Sequence, residues 1–273
     1  AFLAIQQIKG IYGKDIAFFE SELQKHLLDE QRINETMEAA LENNEFKVYY
    51  QPKHETITGK IVGAEALVRW IHPEYGFMSP GEFIPLFEKN GFITKLDLYI
   101  LEQVCKDIQR WKKKRYPFVP VSVNVSRRDF LEAGCIDKQV QIIDGYGIEH
   151  AYIHMEVTES LYSENTEIII SQLKKVQELG FMIEMDDFGS GYSSLGLLSS
   201  FPLNVIKLDI SFVRNFRENE IVIENVIKMA HRLGLLTVAE GAETNEQVAT
   251  LKTLGCDFIQ GFYFSKPLSI ADY

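Results

Sequence analysis

Cysteine is scarce in this chain, and cations are outnumbered. Only three cysteines occur among 273 residues, Cys105, Cys135 and Cys256, at spacings that form no pair. That argues against a disulfide framework or a zinc site and leaves a reducing cytoplasm as the expected compartment. The thiols read as small buried hydrophobes. Lys and Arg number 28 against 39 Asp and Glu, a formal net charge of -11, so the surface is not one that binds polymeric nucleic acid by neutralising phosphates. An anionic substrate would need local cations. No apolar run approaches the roughly 18 residues that span a bilayer, and no basic-headed signal peptide opens the chain. The segment is expected to make no membrane contact, although a longer parent could be membrane-anchored. His54, His72, His150 and His154 show no ligand spacing, and no Gly-x-Gly-x-x-Gly follows a first strand, which argues against a dinucleotide-binding sheet.

What is present centres on Gly180 to Ser194. A short apolar run, Phe181 to Met185, ends in two adjacent acids, Asp186 and Asp187, and then in Gly189-Ser190-Gly191. The run reads as a buried strand that delivers carboxylates to one spot. Adjacent carboxylates repel and are costly to desolvate, so they are kept by water or by a divalent cation. A solvated strand-to-helix turn and a metal-binding strand end both fit these residues. The glycines suit a loop that can close over a ligand.

The chain around this stretch alternates short apolar runs with amphipathic helical stretches. Residues 15–44 place Phe19, Leu23 and Leu27, then Ile33, Met37 and Leu41, at helical spacing, which predicts a connecting helix or two. Phe46 to Gln51 and Ile61 to Leu67 read as strands whose short connection holds no crossover helix, so they form an antiparallel hairpin. That hairpin puts Gln51 toward the turn, away from the ends of the other strands. Further strands are predicted at 121–125, 152–157, 181–186, 204–208, 235–239 and 258–260. Helices are predicted at 80–90, 95–113, 136–146, 166–179, from Tyr192, at 221–233 and at 243–254. Eight strands with intervening helices predict an α/β fold, a modified (β/α)8 TIM-type barrel with one antiparallel strand, the first.

In such barrels the chemistry sits at the carboxyl ends of the strands. Those ends read Glu65, Asn124, Glu156, Asp186 with Asp187, Lys207, Glu240 and Gln260. Five carboxylates, two amides and one lysine make an oxygen-rich cage with a lone base or proton donor. Such hard donors favour Mg²⁺ or Mn²⁺ over zinc. Glu240 and Gln260 also fit a plainer role as structural hydrogen-bond partners.

These residues carry a resemblance. Glu65-Ala66-Leu67 lies between Tyr50-Gln51-Pro52 and Val68-Arg69-Trp70. The chain also carries Val123-Asn124-Val125-Ser126, Glu156-Val157-Thr158-Glu159-Ser160, Asp186 to Leu195, Ile206-Lys207-Leu208-Asp209, Ala239 to Thr244 and Gln260-Gly261-Phe262. In this order they resemble the EAL-domain family of cyclic di-GMP phosphodiesterases. The resemblance covers residues 32–273, and residues 1–31 resemble the tail of a preceding GGDEF-like domain and a linker helix.

The resemblance implies hydrolysis of cyclic di-GMP to linear 5′-pGpG with two metal ions. It implies that Glu65, Asn124, Glu156 and Asp186 hold the first ion, and that Asp186 and Asp187 reach the second. Lys207 and Glu240 would orient and deprotonate the attacking water. Gln51, Leu67, Arg69, Asp187, Asp209, Glu243 and Gln260 would hold the substrate or the shape of the site, and Glu159 would anchor the loop after the paired aspartates. It also implies a homodimer. Ser190, Ala242 and Asn204 depart from the usual Thr, Val and Asp, and none removes a ligand. The alternative is a catalytically silent cyclic di-GMP receptor, although such members usually lack ligands that this chain keeps.

Overall fold

A computed structural model describes residues 21–159, 161, 166–189, 198 and 201–273. Helix α1 (Ser21–Glu42) leads into β1 (Phe46–Glu55), β2 (Ile61–His72) and the short β3 (Gly76–Met78). Helices α2 (Pro80–Asn90) and α3 (Ile93–Lys114) follow, then β4 (Val121–Asn124), α4 (Arg127–Leu131) and α5 (Cys135–Gly145). Next come β5 (Ile153–Thr158), α6 (Thr166–Glu178), β6 (Met182–Phe188), β7 (Val205–Leu208), α7 (Ile210–Arg214) and α8 (Phe216–Arg232). The chain closes with β8 (Leu236–Glu240), α9 (Asn245–Thr253), β9 (Phe258–Gln260) and β10 (Leu268–Ser269).

Eight strands close in the order β1-β9-β8-β7-β6-β5-β4-β2, and β1 pairs back onto β2. From β2 round to β9 the neighbours run parallel. Strand β1 runs antiparallel to both β2 and β9. The expected barrel with a reversed first strand is therefore what the chain forms. β3 and β10 are short additions outside the ring, too brief to show a period in sequence. The helix expected from Tyr192 and the segment 1–20 lie outside the described residues.

Local chemistry sets the element ends. Helix α2 starts at Pro80, whose fixed φ suits a first helical position, and the Glu82 carboxylate accepts from Ser79 N at 2.6 Å. It stops at Gly91, in the left-handed region at φ 87°. On the helix-facing side of the hairpin, the paired residues Phe46 and Trp70 lie 4.9 Å apart and pack on Phe83 and Phe87 of α2, all fully buried or nearly so. Burying such rings holds the reversed strand against the helical layer, at roughly 1.5–3 kcal/mol per large side chain. The barrel is thereby closed at the strand whose direction differs from the rest.

Candidate active site

Parallel strands deliver their carboxyl ends to one rim, and here the reversed strand joins them. In the β1–β2 register Gln51 stands opposite Glu65. The expectation that Gln51 lies away from the strand ends is corrected by this pairing, because β1 and β2 are longer than their apolar cores suggest and the turn falls beyond Glu55. The Gln260 amide nitrogen donates to Gln51 Oε1 at 3.1 Å and to Glu65 Oε2 at 2.5 Å. Asn124 Nδ2 donates to Glu65 Oε1 at 3.5 Å.

Lys207 sits at the centre, with its side chain 1% exposed. Its ammonium lies 2.9 Å from Asp186 Oδ1, 2.7 Å from Glu240 Oε1 and 3.3 Å from Glu65 Oε2, and it donates to Glu156 Oε1. Burial lowers its pKa, but the Asp186, Glu156 and Glu240 charges outweigh that and hold it well above the lysine range. Burial pushes Glu156 well up, with the Glu65 charge adding. Burial likewise raises Glu240 to about 8, with Lys207 opposing. For Asp186 burial is outweighed by Lys207, so it stays below the usual carboxylate range. Asp187 rises to about 6, from burial and then from the Asp186 charge.

Two successive strand residues ordinarily face opposite sides. Here β6 carries an irregularity between Met185 and Phe188, where three residue steps span two on β7. Asp187 takes φ 55°, in the left-handed region that Asp tolerates better than most residues. This bulge turns both carboxylates to one place. Oxygens of Asp186, Asp187 and Glu240 lie within 4.8 Å of one another. Gly241, at φ 73°, follows Glu240, and a Cβ there would stand 2.1 Å from Ile210 Cγ1. The β8 rim is therefore open only to glycine.

A cavity of about 320 Å³ opens above the acids, lined by Gln51, Glu65, Leu67, Arg69, Asp186, Asp187, Asp209, Glu240, Glu243 and Gln260 among others. Larger clefts of about 490 and 620 Å³ lie beside α1 and beside α4, away from this acid cluster. Leu67 and Arg69 follow Glu65 at period two and so share its face. Asp209 spends one oxygen capping α7, accepting from Ser211 N at 3.0 Å. The backbone of Glu243 is fixed by its N–H donating to Gln247 Oε1 at 2.8 Å. Glu159, past β5, accepts from Gly189 N at 2.9 Å. The rest of the expected anchor, Ser190 to Ser194, lies outside the described residues.

The cavity also takes in Arg214 and Pro267, which sequence reasoning passed over, and Phe262, which it quoted in a motif without giving it a role. Arg214 ends a helix and Phe262 follows a strand, and neither breaks a pattern that would flag it. Two other polar residues, Lys53 and Glu184, lie deeper in the barrel. Glu184 had as its only sequence signal a charge inside an apolar run, and Lys53, between Pro52 and His54, had none.

The donor set suits a hard divalent cation. Glu156 Oε2 is buried and accepts no hydrogen bond, and Asp186 Oδ1, also buried, has the Lys207 ion pair at 2.9 Å as its contact. Buried carboxylate oxygens without donors are costly unless a cation takes them up.

The EAL domain family matches residues 34–267. The chain belongs to the EAL-domain family. It is 34% identical over 275 residues to the cyclic di-GMP phosphodiesterase NbdA of Pseudomonas aeruginosa, covering 99% of this chain and 35% of that one. It is 33% identical over 253 residues to the cyclic di-GMP phosphodiesterase PdeR of Escherichia coli, covering 92% and 38%. The solved structure of the PaMucR phosphodiesterase in complex with c-di-GMP superposes with a TM-score of 0.83 at 32% identity, covering 87% of this chain and 98% of that one. The chain spans about a third of the length of the curated relatives it matches. No helix among the described residues of this EAL domain is long and apolar enough to cross a membrane.

Proposed function

We propose that this chain hydrolyses one phosphodiester bond of cyclic di-GMP to linear 5′-pGpG, working as a homodimer with two divalent ions, Mg²⁺ or Mn²⁺. The observation that carries the reading is the trio Asp186, Asp187 and Glu240, within 4.8 Å of one another beside the Lys207 ammonium, in a barrel whose relatives include phosphodiesterases. Glu65, Asn124, Glu156 and Asp186 hold one ion, and Asp186 with Asp187 reaches the other. Bound ions supply Lewis acidity at the phosphate and offset its charge in this acidic site.

The chain's own groups do the rest. Glu240 takes a proton from the attacking water, and Lys207 orients that water. The water oxygen adds to phosphorus, the P–O3′ bond breaks, and the 3′ oxygen leaves as a hydroxyl after taking up a proton from solvent. Arg69, Gln51, Leu67, Asp209, Glu243 and Gln260 line the substrate's place. Residues 1–31 form the tail of a preceding domain and its linker, and residues 32–273 form the barrel domain.

Chromatography of cyclic di-GMP incubated with the protein tests the reading. The expected result is pGpG with Mg²⁺ or Mn²⁺, none after exhaustive chelation, and none with Ca²⁺, which is larger and looser in geometry. Binding of cyclic di-GMP without conversion would instead establish the silent receptor, and full activity after chelation would remove the two-metal mechanism. Sedimentation of the same sample reads the assembly state, and a monomer of full activity would show the dimer to be dispensable.

Glu159 gives a second test. Its bond to Gly189 N ties the residue two after Asp187 to the end of β5. A charge-assisted bond of this kind is worth about 1.5–3 kcal/mol, enough to hold a loop in one conformation. Glu159→Ala is expected to melt within a few degrees of the parent, lose most of its turnover and bind metal or substrate more weakly. Parental turnover and parental metal dependence in the folded variant would refute the anchor.

A further inference from the structure

Beneath the acids lies a second inward layer that the reaction scheme does not use. Strand side chains alternate with period two, so the residue two before each strand-end group faces the same lumen one level down. Ser122 thus lies below Asn124, His154 below Glu156, and Glu184 below Asp186. Because β1 runs the other way, the residue two after Gln51, Lys53, is the one that reaches this level. Lys53, Ser122 and Glu184 are buried. Lys53 Nζ donates to Ser122 Oγ at 2.7 Å and to Glu184 Oε2. Ser122 Oγ donates to Glu184 Oε1 at 2.9 Å, and His154 Nδ1 lies 2.7 Å from that same oxygen.

The same ammonium lies 3.6 Å from Glu156 Oε2, the carboxylate oxygen without a hydrogen-bond donor. The other oxygen of Glu156 accepts from Lys207. We propose that Lys53 is a positioning residue that holds the Glu156 carboxylate from below while Lys207 holds it from above, fixing the orientation in which Glu156 meets a divalent ion. A terminal carboxylate torsion is broad and roughly two-fold. Opposed cations in a buried setting narrow it, since their attraction is weakly screened there. Ser122, Glu184 and His154 keep the ammonium from swinging away. The inference rests on the reading that Glu156 binds metal.

Charge and position make opposite forecasts. A lysine acting only as a nearby positive charge would repel a divalent ion, so its loss would tighten metal binding. Loss of a positioning lysine weakens it. Lys53→Met alone would strand the buried Glu184 charge and endanger the fold, whereas Lys53→Met with Glu184→Gln removes both members of the pair and leaves no uncompensated charge between them. Calorimetric titration of Mn²⁺ into the double variant, after circular dichroism has established its fold, is the test. The expected Kd is about 10–100-fold weaker than the parent's, the usual loss for a group that orients a metal ligand. Glu184→Gln alone, which keeps Lys53 and an amide oxygen that can still accept from it, is expected to lose clearly less Mn²⁺ affinity than the double variant. Unchanged or tighter binding in the double variant, or an equal loss in Glu184→Gln alone, overturns the proposal. A parent that binds no Mn²⁺ overturns the two-metal reading and this inference with it. A parent that binds while the double variant binds equally well overturns the inference alone.

Discussion

Glu65→Gln is expected to lower turnover by about 10³-fold or more while the protein stays folded. Orienting partners of metal ligands cost about 10–100-fold when lost, and a direct ligand should exceed that. A factor of 10³ is about 4 kcal/mol of transition-state stabilisation. The fold is spared because Gln keeps the volume of the side chain, and an amide oxygen still accepts from Gln260 Nε2, now 2.5 Å from Glu65 Oε2. What goes is a negative charge from the cage around Lys207. Steady-state kinetics beside a thermal melt would check this, and a variant with parental kcat would remove Glu65 from the ligand set.

Lys207→Met should act on stability as well as rate. The ammonium is the shared partner of Asp186, Glu240, Glu65 and Glu156. Deleting one partner from a buried ionic cluster costs about 3–5 kcal/mol, because the charges left behind have no compensation. In a chain of this size each kcal/mol moves the melting temperature by about 2–4 °C, so a fall of about 6–20 °C is expected in chelator. Added Mn²⁺ should recover part of it, about 2.7 kcal/mol at a hundred times its Kd, because a divalent ion supplies positive charge to the same carboxylates. Turnover should stay low even with metal, since the group beside the water is gone. A melt in chelator within about 2 °C of the parent would show that the cage does not depend on Lys207 for its charge balance.

The rim was legible because each of its residues breaks a local pattern. Asn124, Glu156, Asp186, Lys207, Glu240 and Gln260 each fall within one residue of the end of a short apolar run, so a polar side chain there stands out without any knowledge of the fold. The layer below them was not legible. Parallel strands buried on both faces read as near-continuous apolar runs, so the parity of facing is hidden. Ser122, His154 and Glu184 were visible as polar residues inside such runs, whereas Lys53 sits among polar neighbours, between Pro52 and His54, and stood out from nothing. Placing them two positions from the rim groups would have put them in one layer. That they meet one another depends on which strands are neighbours, a matter of closure rather than of any single segment.

By itself the sequence determined the element types, the hairpin, the reversed strand and the acids at the strand ends, because helix and strand periods, a connection too short for a crossover, and polar interruptions are all local properties of the chain. The tertiary structure decided the rest. Gln51 entered the site through the β1–β2 register, which hairpin length and cross-strand packing set together. Asp186 and Asp187 came to share one place through a bulge and a left-handed φ, features that arise only when β6 is paired with β7. Lys207 became the centre of four carboxylates because barrel closure brings five strand ends within hydrogen-bonding distance of one point, and no spacing along the chain records that distance.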